Sequence, residues 1–159
     1  MSWIRKKKKY SKPRKLYDSI RIQEENLLVK KYGLKSKREI WKADAAIARI
    51  RDKAKRLINE KTEEQEKLIK KLEKIGFNVK TIADILSLSK EDWLKRRLQS
   101  VIIAKRYAKP KEARQLIAHK HVAINNEIIN IPSYIVKVDE EDKIKIFKKE
   151  KLKEKELSK

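Results

Sequence analysis

Residues 110–130 read PKEARQLIAHKHVAINNEIIN, and the hydrophobic period changes inside this stretch. Ala113, Leu116 and Ile117 recur at helical spacing behind Pro110. Proline suits the first turn of a helix, where its missing N–H would have no intrahelical partner. From His121 onward apolar and polar residues alternate around Asn125-Asn126, and Asn tolerates the positive φ of a tight hairpin turn. Further on, SYIVKV (133–138) and KIKIF (143–147) predict two more short strands, separated by an acidic turn from Asp139 to Asp142. Upstream, WLKRRLQSVIIAKRYA (93–108) puts Leu94, Leu98, Val101 and Ile102 on one helical face. Lys95, Arg96 and Arg97 then fall in the first turn of that helix, where positive charge opposes the dipole. Stability given up in this way points to binding. Two short helices and a small antiparallel sheet thus predict one unit over 93–148.

Helices dominate the chain N-terminal to this unit. LYDSIRIQEENLLVKKY (16–32) predicts a helix with Leu16, Ile20, Leu27 and Leu28 as its apolar side, Asp18 or Ser19 at its start and Gly33 as its left-handed stop. Ser36-Lys37-Arg38-Glu39 matches a capping box, and Ile40, Ala43, Ile47, Ile50, Ala54 and Leu57 repeat in a 3-4 pattern behind it. Leu68, Leu72 and Ile75 offer a partner stripe across a polar turn at 59–63, so residues 36–75 predict an antiparallel helical hairpin ended by Gly76. Residues 77–92 predict a short helix with turns, and Ser89 resembles an N-cap. The expected architecture is α+β. A basic arm covers 1–15, a helical domain 16–92, the mixed unit 93–148 and a charged tail 149–159.

Charge sets the partner class. The sequence holds 45 Lys and Arg against 23 Asp and Glu, a formal net charge of +22 that repels itself in isolation and is offset by a polyanion. No stretch approaches the ~20 apolar residues of a membrane span, and no signal peptide is visible, so no membrane partner is expected. Cysteine is absent, which excludes disulfides and thiolate metal sites, and two glycines cannot build a glycine-rich phosphate loop. Two basic surfaces emerge. Arg5, Lys6, Lys7, Lys8, Lys9 and Arg14 form an arm expected to order on RNA, with Trp3 and Tyr10 free for stacking. Lys42, Arg49, Lys53 and Arg56 fall within roughly 60° of one another around the first hairpin helix, with no acidic residue among them. Ordinary solvated faces mix signs, so this arc is read as RNA-facing.

The run from Arg97 to Ile144 resembles the RNA-binding module of the small-subunit ribosomal protein four family. Its marks are Arg97-Leu98-Gln99, Ala113-Arg114-Gln115-Leu116-Ile117, His121-Val122-Ala123-Ile124-Asn125, Pro132-Ser133-Tyr134, Val138 and Asp142-Lys143-Ile144. Lys31-Tyr32-Gly33-Leu34-Lys35, Glu39-Ile40-Trp41-Lys42-Ala43 and Ile50-Arg51 resemble the archaeal and eukaryotic branch, so the likeness spans nearly the whole chain. It implies a structural constituent of the cytoplasmic ribosome that binds small-subunit rRNA beside neighbouring subunit proteins. It also implies a part in nucleating assembly and a place where messenger RNA enters. RNA contacts carried over by position are Lys95, Arg96, Arg97, Lys109, Lys111, Arg114, Gln115, Lys120 and His121, and loss of Arg97 or Arg114 is expected to lower the salt dependence of binding. The sequence departs from the family in placing Lys120 and Asn126 where glycine is usual, and Pro110 where serine is common. A position that needs positive φ would strain Lys120. The zinc cluster of some bacterial members is absent.

No enzyme, cofactor or small-molecule substrate is expected. His119 and His121 are the only histidines, and with no acidic residue close by in sequence they are read as a helix-end polar residue and an RNA-contacting or strand residue. Pseudouridine synthases and a tyrosyl-tRNA synthetase carry the same module but need a separate catalytic domain, for which this chain has no room. The alternative is a free-standing stress or ribosome-rescue factor using the same module, against which the Glu39–Ala43 run argues.

Overall fold

The computed structural model describes residues 9–147. The expectations for Trp3, Arg5, Lys6, Lys7 and Lys8, and for the tail at 149–159, lie outside the described residues. The order is α1 (Ser19–Tyr32), α2 (Arg38–Leu57), α3 (Thr62–Ile75), α4 (Ile82–Ser87), α5 (Lys90–Lys95), α6 (Leu98–Ala104), α7 (Pro110–Ala118), β1 (Val122–Ile124), β2 (Glu127–Ile128), α8 (Val138–Glu141) and β3 (Ile144–Ile146). It is an α+β fold, helical first and mixed afterwards.

The α2 stripe packs as its spacing predicts, with Ile40, Ala43, Ile47, Ala54 and Leu57 buried. Leu68 and Leu72 of α3 close on it, and Phe77, Val79, Ile85 and Leu88 complete the cluster. Burying each such aliphatic side chain stabilises by about 1.5–3 kcal/mol. The Gln65 side chain donates to the Leu57, Ile58 and Glu60 carbonyls and so satisfies the α2 end at the hairpin turn. Asp18 caps α1 at the Arg21 amide, and the Ser89 and Asp92 pair starts α5. Thr81 and Asp84 form a reciprocal capping box for α4, a pattern that the sequence shows but that its apolar spacing does not signal.

α1 presents a different side from the one expected. Leu16, Ile20 and Leu27 are exposed, while Glu25, Leu28 and Tyr32 are buried. The reason is polar. Glu25 Oε1 accepts from Arg21 and from the Trp41 indole, 2.8 and 2.9 Å away, which turns that side of the helix inward. The expected Ser36 cap does not form either. α2 has no side-chain cap hydrogen bond, and Glu39 accepts from the Lys35 amide instead.

The largest correction concerns residues 93–108, which are not one helix. α5 ends at Lys95, Arg97 is extended, and α6 begins at Leu98. Arg97 forms an isolated bridge with Ile135, flanked by hydrogen bonds from the Val136 amide to the Arg96 carbonyl and from the Leu98 amide to the Tyr134 carbonyl. SYIVKV therefore clasps this break and adds no strand to the sheet. Lys95 and Arg96 sit at the C-terminal end of α5, where cations suit the helix dipole, so the apparent sacrifice of stability vanishes. The acidic stretch 139–142 lies in α8 and the residue after it.

The sheet has the order β2-β1-β3, antiparallel throughout, with Ile124 opposite both Glu127 and Ile144. Leu98, Val101, Ile102, Ala113, Ile117, Val122, Ile124, Val136 and Ile144 form the core beneath it. Asn125 and Asn126 both have positive φ, as a two-residue hairpin turn requires. Lys120 has φ 64°, so the position where the family uses glycine is left-handed here. Lys120→Gly should relieve about 0.5–1 kcal/mol of strain after glycine's own entropy cost. The melting temperature should rise by roughly 1–4 °C in a calorimetric scan; no rise would contradict strain at this position.

Candidate nucleic-acid interface

Three side chains around the break between α5 and α6 tie the module to the helical half. Arg97 is buried, and its guanidinium meets the Glu39 carboxylate at the start of α2. Arg114 of α7 reaches the other oxygen of Glu39 at 3.1 Å. Burial pushes the Glu39 carboxyl up, but the hydrogen bonds and charges of Arg97 and Arg114 outweigh it and hold it below the usual glutamate range. Gln99, also buried, donates to the carbonyls of Tyr32, Gly33 and Pro110 at 2.9–3.0 Å. Arg96 lies against Gly76 and pairs with Glu141 at 3.0 Å. Both glycines of the chain therefore end a helix and sit at this seam.

The expected contact residues divide accordingly. Arg97 is buried and Arg96 half-buried, each turned toward a carboxylate rather than outward. The cause is Glu39 and Glu141, whose proximity only the fold creates. Arg114 is half-buried and shared with Glu39. Lys95 is exposed but paired with Asp92 at 3.0 Å. Lys109, Lys111, Gln115 and Lys120 are exposed and His121 is half-buried. Lys42, Arg49, Lys53 and Arg56 are all exposed along one side of α2, and none forms an ion pair among the described residues. Arg38, exposed at the start of α2, continues that line at ~100° per residue. In the sequence Arg38 falls inside the capping pattern Ser36–Glu39, which masks its place on the arc although the same angular count reaches it. Lys9 and Arg14 are exposed, whereas Tyr10 packs against Trp41 with ring centroids 6.0 Å apart.

Lys42 of the hairpin and Arg114 of the module line one cleft of about 250 Å³, together with Glu39, Trp93, Arg97 and Ser133.

Residues 96–142 match the S4 domain. The small ribosomal subunit protein uS4 of Korarchaeum cryptofilum is 43% identical over 151 residues, covering 91% of each chain. Those of Methanothermobacter thermautotrophicus and Thermoplasma volcanium are 41% and 40% identical, over 89% and 88% of this chain and 86% and 75% of their own lengths. The chain belongs to the uS4 family. The relatives place it in the archaeal branch, and the likeness extends well beyond the S4 domain into the helical half. Each of these relatives is named as a protein of the small ribosomal subunit, and this chain carries the S4 domain. Among the described residues no helix is long and apolar enough to cross a membrane.

Across this seam the Arg97-Leu98-Gln99 and Glu39–Ala43 runs come together. They are joined across the fold: Arg97 meets Glu39, and Gln99 meets the carbonyl end of α1.

Proposed function

We propose that this chain binds small-subunit rRNA where several helices meet, beside neighbouring subunit proteins, and helps nucleate assembly of the subunit near the place where messenger RNA enters. The observation that carries this reading is the continuity of the basic surface. Lys42 on α2 and Arg114 on α7 line one cleft, and Arg49, Lys53 and Arg56 extend it along the hairpin. The buried seam holds the two parts at a set angle. A preset angle suits recognition of RNA shape, with phosphate contacts fixing position.

Binding should be strongly salt-dependent. With roughly 6–10 phosphate contacts, affinity for small-subunit rRNA falls by about 10³–10⁵ between ~50 and ~200 mM salt. Replacing Lys42, Arg49, Lys53 and Arg56 by Ala should lower the logarithmic salt slope by about 0.9 per cation in filter-binding titrations. Arg97→Ala should leave the slope alone and lower the melting temperature. An unaltered slope in the α2 variants would refute an RNA-facing hairpin. Chemical footprinting tests location: protections confined to a helical junction near the messenger RNA path support the reading, and scattered protections contradict it.

A further inference from the structure

The outer end of α7 carries a feature that phosphate binding does not explain. His119 follows the last turn of α7, and Lys120 then turns the chain through a left-handed conformation. The His121 amide donates to the Leu116 carbonyl at 2.9 Å, and its carbonyl accepts from the Phe147 amide at 2.8 Å. The His119 amide donates to the Gln115 carbonyl at 2.9 Å, so both histidines are anchored on hydrogen-bonded backbone. Their rings are near-parallel, 15° apart, with centroids 6.4 Å apart. A planar ring between two others needs about twice the ~3.5 Å contact distance between carbon atoms, more than this centroid separation, so it enters when the exposed His119 ring swings outward. The surrounding cleft, about 490 Å³, is lined by Glu112, Gln115 and Leu116 as well as the two histidines.

We propose that this slot takes one unstacked nucleobase of the bound RNA, held between the faces of His119 and His121 over Leu116. Single-stranded RNA positions are recognised in this way, with splayed bases stacked on aromatic side chains and hydrogen-bonded at their edges. Gln115 lies exposed beside the rings and makes no side-chain hydrogen bond among the described residues, so its amide is free to donate to and accept from a base edge. Lys111 lies two turns ahead of His119 on α7, roughly 12 Å away by helical rise, and is placed to hold a phosphate of the same strand. A metal is a poorer occupant. Near-parallel rings do not converge their nitrogens on one point, and no group of three His, Asp or Glu among the described residues could hold an ion.

This inference rests on the reading that the module binds small-subunit rRNA, and the test separates the two. The full chain is titrated with small-subunit rRNA, and base edges are probed with dimethyl sulfate and a carbodiimide, which together report on all four bases. The wild-type chain should protect one unpaired nucleotide outside the backbone footprint. The double variant His119→Ala and His121→Ala should lose that protection alone and bind about 5- to 150-fold more weakly with an unchanged salt slope. Phe at both positions should restore protection and affinity; Lys at both, which carries charge without a stacking plane, should not. Wild-type affinity in the Ala variant, or rescue by Lys as good as by Phe, would overturn the slot and leave rRNA binding standing. Failure of the wild-type chain to bind rRNA at all would overturn both readings.

Discussion

Glu39→Ala is expected to lower the melting temperature by roughly 6–20 °C. The carboxylate neutralises Arg97, which is buried, and shares Arg114. Removing one partner of a buried pair costs about 3–5 kcal/mol because the other charge stays buried and unpaired. Each kcal/mol shifts the midpoint by about 2–4 °C in a chain of this size. The same site predicts acid sensitivity. The folded state holds the Glu39 carboxyl below its unfolded value, so its stabilisation is complete above the ordinary glutamate pKa of about 4.3. It fades as pH falls below that value and through the lowered one. Glu39→Ala should therefore lose part of its disadvantage below about pH 4, since protonation has by then removed the same charge from the wild-type chain. Pairing the substitution with Arg97→Met should recover much of the loss, since no fully buried charge is then orphaned and the half-buried Arg114 can turn to solvent. A drop under about 2 °C for Glu39→Ala alone would mean that the seam is not held by this charge.

Gly33→Ala should be comparably damaging for a steric reason. Gly33 ends α1 at φ 59°, and a Cβ there would lie 2.7 Å from both Pro110 Cβ and the Pro110 carbonyl oxygen, and 2.8 Å from Gln99 Nε2. Left-handed backbone costs an L-residue about 1–2 kcal/mol, and overpacking adds about 1–3 kcal/mol, for a combined loss of about 2–5 kcal/mol. The colliding carbonyl belongs to the first residue of α7, so relief means shifting the helix and loosening Gln99 from three carbonyls at once. Gly33→Asn separates the two causes. Asn tolerates the left-handed region but keeps a Cβ, so it should remain nearly as unstable as Ala in a thermal melt. Wild-type stability for Asn would show that only the backbone conformation matters there, not the close approach of α7.

Local features are legible in the sequence. Gly33 and Gly76 as helix stops, Pro110 as a helix start, Ser89 as a cap and Asn125-Asn126 as a turn are each decided by the conformational preferences of one or two residues. The α2 stripe is legible because its period runs unbroken over five turns. The exposure of the basic arc on α2 is readable for the same reason, since a helix that buries one side must expose the opposite one. Residues 16–32 mislead because exposed aliphatics imitate a buried stripe, while a glutamate, Glu25, marks the side that is buried.

The α+β order of elements, the helical hairpin, the polyanion-binding charge and, through an ordered run of motifs, the family all follow from the sequence alone. Which cations of the mixed unit face outward was settled only by tertiary packing. Arg97 lies 58 residues from Glu39 in sequence, and Arg114 lies 75 away. Periodicity describes one element at a time and does not register a charge pair formed across two of them. The burial of Arg97 and the half-burial of Arg96 depend on carboxylates delivered by α2 and α8. An arginine costs free energy to bury unless such a partner arrives, and its arrival is a property of packing rather than of local sequence.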